Sequence, residues 1–515
     1  MAYHMLSYFA LFLPIVILLY QVTPQKFRYI ILLVANAFFF CSLSRWLIVY
    51  LIAAILMTYG VGRWLESVNN SVDDAKLANK KKRRIITLAV WINIGIILVL
   101  KYTNFFATNL SNMINHFGGN WDFSPIKFMV PIGLSFYTLQ IISYLTDVYR
   151  GTEKAEKNLA RMALYLSFFP QIMEGPIARY SQTANDLYEG RKITFTNLKY
   201  GYQRIVWGLF KKIVIADRLY SAVTYIFDNY HELDGSIILL GAIVYTGQLY
   251  MEFSGCMDII MGSGEIFGIK LPENFRQPFA AKDASDFWHR WHITLGTFFK
   301  DYIFYPVSLA KPVKNFAKKV KKVFGKNVSK FVAPTIALFC VWTCNGLWHG
   351  ANWTFIFYGM YYFVLIVIEN ITEAPVKKLA EKLHINREGK GYKVFRAVKL
   401  FFIVIIGELF FRAATLTDGF KMFGKIFSDF HITELVNNIF NLKLDVYEFV
   451  IAVIGLVIVL VVSILKEKNI KIRESISKFK LPARWAVWYA AILIVIFFGA
   501  YGSGYTIVDL IYAGY

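Results

Sequence analysis

A histidine between two apolar stretches is the first residue whose surroundings favour chemistry. His349 lies in the polar segment Thr343–Trp353, and Gly346 and Gly350 flank it. A partly buried neutral imidazole can remove a proton from an attacking hydroxyl, and glycines let backbone approach it closely. A turn histidine bonded to a carbonyl fits the spacing equally well, so the residues alone leave a general base and a structural role open.

A second polar segment, Asp286–Leu295, contains His289 and His292. On a helix, residues three apart share one face, where two imidazoles could bind a metal or position one another. A third ligand at matching spacing is missing, so we predict no metal site. Arg290 and the neighbouring tryptophans also fit an anchor at the membrane interface, which is the favoured role for His289.

Two acids interrupt the apolar segment Gln248–Asp258. Ionisable residues in such sequence are costly, which makes Glu252 and Asp258 candidates for function. Their separation does not place them cleanly on one helical face, and pairing with a nearby arginine or capping a broken helix explains them more simply. The sequence contains no glycine-rich phosphate loop, nucleophile elbow or zinc-protease motif.

The composition indicates that these residues are positioned by a fold embedded in a membrane. Of 515 residues, 57% are apolar and 17% are charged, an excess too large for one water-soluble core. The net charge of +22 is concentrated in short stretches between apolar runs, as membrane topology requires, so we expect no nucleic-acid partner. Four cysteines are too few for a disulfide scaffold.

Apolar windows predict about eleven membrane-spanning helices. They are 5–21, 29–44, 46–62, 85–101, 126–146, 236–252, 331–348, 353–369, 397–414, 447–465 and 485–501. Between residues 160 and 300, prolines and glycines leave apolar pieces too short to cross the hydrocarbon as straight helices. Re-entrant or broken helices survive at that depth only beside protein or a water-filled cavity, so this region predicts a cavity.

Lysine and arginine counts predict the orientation. Lys80–Arg84, Lys311–Lys330 and Lys466–Arg484 are strongly basic and should be cytoplasmic, whereas 103–125 and 415–446 should face outward. Counting spans between them places both termini outside. Lys311–Lys330 could also bind an acidic partner or anionic lipid as an amphipathic surface helix. No internal repeat supports a secondary transporter.

Ordered motifs over about residues 100 to 414 carry a family resemblance. They are Pro131–Tyr137, Tyr144–Arg150, Phe168–Gln171, Gly175–Ile177, Ile213–Leu219, Phe253–Gly255 with Asp258, Pro272–Phe275, Asp286–Trp288 with Arg290–His292, Trp348–Gly350 with Trp353, and Phe411–Ala413. In these motifs the chain resembles the bacterial membrane-bound O-acyltransferases, in the branch of alginate O-acetyltransferase. Relatives of that branch act in peptidoglycan O-acetylation and teichoic acid D-alanylation.

The resemblance implies an all-α polytopic fold, a ring of about eleven transmembrane helices with re-entrant helices around a central funnel. It implies that His349 is the membrane-embedded catalytic histidine and that His292 is the second characteristic histidine, near the cytoplasmic side. His289 falls where the family pattern varies. We expect supporting roles in or near the funnel for Asn345, Asp258, Arg290 and Trp348. The implied division is N-terminal helices at 1–104, a catalytic core at 105–414, and an extracytoplasmic segment with C-terminal helices at 415–515.

The resemblance also implies the reaction and its participants. No cofactor is bound; the substrate is an acyl thioester, either acetyl-CoA or an acyl carrier protein, on the cytoplasmic side of a bacterial plasma membrane. The expected acceptor is a cell-surface polysaccharide, reached with an extracytoplasmic acyltransferase partner. D-alanyl transfer toward teichoic acid is the alternative, and a transporter or channel without chemistry is a remoter one.

Ile511-Tyr512 resembles a pair found near the C-terminus of family members, although the ending Ala513-Gly514-Tyr515 departs from the expected pattern. Since the charge count places Tyr512 outside, we predict that it could accept the acyl group and pass it to the partner enzyme. An interfacial aromatic anchor is the alternative role.

Overall fold

The computed structural model describes residues 2–71, 73–501, 505 and 508. These residues form helices and no β-strand, apart from one isolated bridge between Phe275 and Trp291. In the described part, seven helical stretches, some built from consecutive helices, are long and apolar enough to cross a membrane: Gln25–Val68, Ala75–His116, Gly235–Ile266, Lys311–His349, Trp353–Lys382, Val446–Glu467 and Leu481–Phe498. The protein is an all-α polytopic membrane protein, and the total of about eleven crossings stays a prediction.

The chain divides into two compact units. The N-terminal unit comprises residues up to Ile205 together with Cys256–Pro272, and the C-terminal unit comprises Val206–Gly255 and Glu273–Val508. These boundaries come from packing, and the predicted division into segments 1–104, 105–414 and 415–515 stays a prediction.

The N-terminal unit is built from helices whose ends follow from local sequence. Asp74 caps the helix Ala75–Ile97 by accepting from the backbone N–H of Lys76 at 2.8 Å, and Asn158 caps Leu159–Ser167 in the same way. Its helical segments are Ser7–Phe12, Leu13–Val22, Arg28–Ser44, Ile48–Ser71, Ala75–Ile97, Leu98–Tyr102, Thr103–His116, Leu134–Arg150, Leu159–Ser167 and Tyr180–Glu189; Phe195–Leu209 and Gly235–Ile266 contribute to both units.

The predicted span 126–146 is wrong at its start. Residues 119–131 are not helical, and the helix begins at Leu134. Pro131 and Gly133, whose φ of 73° is in the left-handed region, delay that start, and Gly151 ends the helix at Arg150. The apolar residues before Pro131 raised the hydropathy of the window without adding helix.

The expectation of broken helices between 160 and 300 is confirmed in part. The segment 168–179, which contains Pro170 and Pro176, is irregular, but Gly235–Ile266 is one 32-residue helix despite its glycines. Those glycines permit close packing: a Cβ on Gly255 would lie 2.9 Å from the carbonyl oxygen of Gly208, and one on Gly262 would lie 2.6 Å from that of Gly201. Gly255 and Gly262 therefore lie where this helix packs closely against a neighbouring helix.

The C-terminal unit contains most of the candidate site. Its further helical segments are Phe210–Ala216, Asp217–Asp228, Ala284–Trp288, Ile293–Phe299, Lys300–Phe304, Tyr305–Ser308, Lys311–His349, Trp353–Lys382, Lys390–Arg412, Leu416–Ser428, Ile432–Asn438, Val446–Glu467, Ile472–Ser477 and Leu481–Phe498. The helices Lys311–His349 and Trp353–Lys382 pack along each other, and Lys390–Arg412 packs on the second of them.

Candidate active site

His349 is the last residue of its helix and is 5% exposed. The next helix begins only at Trp353, where Asn352 accepts a hydrogen bond from the Thr354 N–H at 3.1 Å. The two helices touch at Gly346, because a Cβ at that position would lie 2.6 Å from the carbonyl oxygen of Phe355. The glycine before the histidine therefore sets how closely His349 approaches the second helix.

Aromatic rings surround His349. The Trp348 and Phe411 rings meet it edge-on at centroid distances of 5.1 and 5.2 Å, and the Tyr358 ring does so at 6.1 Å. Phe355 lies at 6.4 Å. These side chains come from three helices, and they shield the imidazole from bulk water.

His292 is also buried, at 2% exposure, with a φ of 47° in the left-handed region. Asn274 holds this turn: its carbonyl accepts the Ile293 N–H at 3.0 Å, and its side-chain Oδ1 accepts the Thr294 N–H and hydroxyl at 3.1 and 2.9 Å. The same Oδ1 lies 3.3 Å from His292 Nδ1. Because that oxygen is an acceptor, Nδ1 carries the proton, which makes Nε2 the basic nitrogen of the neutral ring.

Trp348 brings the two histidines into one site. Its ring lies 5.5 Å from the His292 ring and 5.1 Å from the His349 ring, edge-on to both. Asn345, 5% exposed, lies one helical turn before His349. The structure thus assembles His349, His292, Trp348 and Asn345 from two sequence motifs more than fifty residues apart.

The expectation that His289 and His292 share a helical face is wrong. The helix Ala284–Trp288 ends before His289, and the backbone then turns through the left-handed His292. As a result His289 is exposed while His292 is buried.

Arg290 pairs with two acids, and its predicted supporting role stays a prediction. Its guanidinium donates to Asp286 at 3.0 Å and to Glu467, at the end of Val446–Glu467, at 3.0 and 3.1 Å. Partial burial acts to raise the pKa of Asp286, but the Lys282 backbone N–H and Arg290 outweigh it and hold that pKa below its ordinary value. The hydrogen bonds of Arg290 to Asp286 and Glu467 fix the segment that carries His292.

Asp258 also pairs with an arginine, as its simpler interpretation predicts. It accepts from Arg204 Nε at 2.8 Å in the N-terminal unit, and the same guanidinium donates to Glu265 at 3.0 Å. In the C-terminal unit, Glu252 accepts from Lys212 Nζ at 3.1 Å. Both acids of the segment Gln248–Asp258 are therefore in ion pairs.

Sequence reasoning missed a buried acid beside the site. Tyr358, whose ring faces His349, donates its hydroxyl to Glu408 Oε1 at 2.9 Å, and Glu408 is 1% exposed. Glu408 interrupts an apolar run three residues before Phe411. The rule that singled out Glu252 and Asp258 would also have found it.

Ile511 and Tyr512 lie outside the described residues. Within the described residues, one group of three side chains could hold a metal: Asp234, Asp429 and His431. It includes neither His292 nor His349.

Comparison with known proteins identifies the family of this chain. Residues 154–411 match the membrane-bound O-acyltransferase (MBOAT) family. Probable alginate O-acetylase AlgI of Pseudomonas syringae is 32% identical over 427 residues, 82% of this chain and 75% of the relative. Peptidoglycan O-acetyltransferase of Helicobacter pylori is 28% identical, covering 76% and 72%, and teichoic acid D-alanyltransferase of Bacillus subtilis is 31% identical, covering 48% and 60%. The chain belongs to the membrane-bound O-acyltransferase family and is an O-acyltransferase.

Proposed function

We propose that the protein transfers an acetyl group from a cytoplasmic thioester, acetyl-CoA or an acyl carrier protein, across a bacterial plasma membrane for O-acetylation of a cell-surface polysaccharide. The observation that carries this proposal is the burial of His349 and His292, both of which pack edge-on against Trp348. Relatives named as O-acetylases or O-acetyltransferases match 76 to 82% of the chain, against 48% for the D-alanyltransferase, which favours acetyl over D-alanyl transfer.

In the proposed step, His349 is the general base. A hydroxyl oxygen attacks the thioester carbonyl carbon as the imidazole takes the hydroxyl proton. The new C–O bond forms, the C–S bond breaks, and the protonated imidazole returns the proton to the thiolate. His292 lies near the reacting group. Its hydrogen bond to Asn274 sets the tautomer of the ring, so that Nε2 is the nitrogen able to accept a hydrogen bond.

Tyr512 is our proposed first acceptor on the outer side, from which a separate extracytoplasmic acyltransferase would take the acetyl group. The proposal predicts that Tyr512→Phe abolishes polysaccharide acetylation in cells because the phenol oxygen is the acyl carrier. A Tyr512→Phe strain with full acetylation would exclude this relay and leave the histidine chemistry untouched.

The test of the main proposal is mild alkaline release of esters from the cell envelope, with acetate and D-alanine quantified together. His349→Ala should lower ester formation by a factor on the order of 10² to 10⁴, the usual contribution of a general base. His289→Ala is the matched control, because His289 is an exposed histidine three residues from His292. Loss of D-alanine instead of acetate would assign the teichoic acid reaction, and loss of neither would overturn acyl transfer by His349.

A further inference from the structure

The first part of the helix Lys311–His349, residues Lys311–Phe324, is amphipathic and is called the basic helix below. At 100° per residue its six lysines fall within an arc of about 160°, and its apolar residues fill the opposite arc. All six lysines are exposed, and the segment contains no acid. The lysines are Lys311, Lys314, Lys318, Lys319, Lys321 and Lys322.

Protein covers only part of the apolar arc. Val313, Ala317 and Val320 are half-buried. On one flank of this covered strip, Phe316 is 53% and Val323 74% exposed, and at the end of the basic helix Phe324 is 66% exposed. Exposure of such large apolar side chains to water is unfavourable, which favours an apolar environment around them.

Gly325 sets the basic helix apart from the membrane-spanning remainder. Its φ of 80° and ψ of 177° are accessible to glycine alone, and they bend the helix. The Ser329 hydroxyl donates to the Ala317 carbonyl at 2.7 Å, although twelve residues of straight helix would separate them by about 18 Å. The basic helix is therefore folded back beside the start of the apolar segment that ends at His349.

We propose that the basic helix is a binding surface for anionic phospholipid in the cytoplasmic leaflet. A helix with a lysine face, an uncovered apolar flank and a direct connection to a membrane-spanning segment has the chemistry of an interfacial helix. The lysines contact headgroup phosphates while Phe316, Val323 and Phe324 enter the acyl-chain boundary. Phosphates of a soluble thioester would need the lysines alone and give no reason for the uncovered apolar flank.

The test uses the full chain in zwitterionic detergent micelles, titrated with phosphatidylglycerol or phosphatidylcholine and followed by native mass spectrometry. The wild type should retain phosphatidylglycerol far more tightly than phosphatidylcholine. The triple variant Lys314→Gln, Lys318→Gln, Lys322→Gln should weaken the tightest phosphatidylglycerol site on the order of 100-fold, since each lysine near an anionic surface contributes about fivefold. Higher salt should weaken the wild type more than the variant.

A matched control removes three exposed lysines from the end of another helix, where acids are interspersed: Lys377→Gln, Lys378→Gln, Lys382→Gln. This variant should keep the wild-type affinity. Phe316→Ser with Val323→Ser should also weaken retention, which separates a lipid surface from a purely electrostatic site. Equal phosphatidylglycerol affinity in the two triple lysine variants would overturn the proposal. So would a Lys314→Gln, Lys318→Gln, Lys322→Gln variant that loses acyl-donor binding but retains lipid as the wild type does. Neither result bears on the proposed role of His349.

Discussion

The close contact at Gly346 gives the sharpest mutational prediction. In Gly346→Ala, the new Cβ would meet the Phe355 carbonyl oxygen at 2.6 Å and the Ile356 Cα at 3.2 Å. Ordinary van der Waals contact begins near 3.4 Å, so the two helices must separate by about 0.8 Å. Backbone atoms cannot rotate away as a flexible side chain could, so the shift reaches His349 one turn later.

A displacement of about 1 Å at a reacting group costs on the order of 10²-fold in rate. We therefore expect Gly346→Ala to lower acyl transfer roughly 10- to 100-fold. Overpacking costs about 1 to 3 kcal/mol of stability. Alanine's better helix propensity offsets up to about 1 kcal/mol of that cost, so the variant should still fold.

The assay is ester content of the envelope normalised to membrane-inserted protein, with thermal unfolding of the purified protein measured in parallel. Gly424→Ala is the matched control: it lies in the helix Leu416–Ser428, and its Cβ would have nothing within 4 Å. That control should keep full activity and gain stability. Wild-type acyl transfer by folded Gly346→Ala would refute the reasoning that this contact positions His349.

Three further predictions follow from hydrogen bonds. Tyr358→Phe should lower stability by roughly 1 to 3 kcal/mol, because it removes the donor to a buried carboxyl, and adding Glu408→Gln should restore part of the loss in thermal unfolding. Asn274→Ala should lower acyl transfer more than Asn274→Asp, because the aspartate still accepts the proton of the second histidine; the envelope ester assay checks this. A hydrogen bond and electrostatic attraction to Asp234 raise the pKa of His431. The stability that the His431–Asp234 pair contributes should therefore fall as the pH rises above about 6.5, because the imidazole then loses its proton. Unfolding midpoints at several pH values should show this fall in the wild type and not in His431→Ala.

Apolar windows are local features and predict the helical class. Polar interruptions single out His349 and His292 as candidates, and the family resemblance implies their roles. The sequence predicts that the glycines within Gly235–Ile266 break the helix, but the helix is continuous. Two of these glycines pack closely against Gly201 and Gly208 instead. The burial of His292 beside the exposed His289 depends on a left-handed backbone turn held by Asn274, eighteen residues away. Such distant contacts leave no periodic signal in the sequence.

Ion pairing accounts for three of the charged residues that the sequence singled out. Asp258, Arg290 and Glu252 all stand out in apolar or aromatic sequence, and each has an oppositely charged partner within 3.1 Å. A buried charge without such a partner would destabilise the fold by several kcal/mol, so pairing is sufficient reason for their presence. His349 and His292 both pack against aromatic rings, and they share the ring of Trp348. Ion pairing thus accounts for the three charged residues without a chemical role, and the proposed chemistry stays with the two histidines, which the Trp348 ring brings into one site.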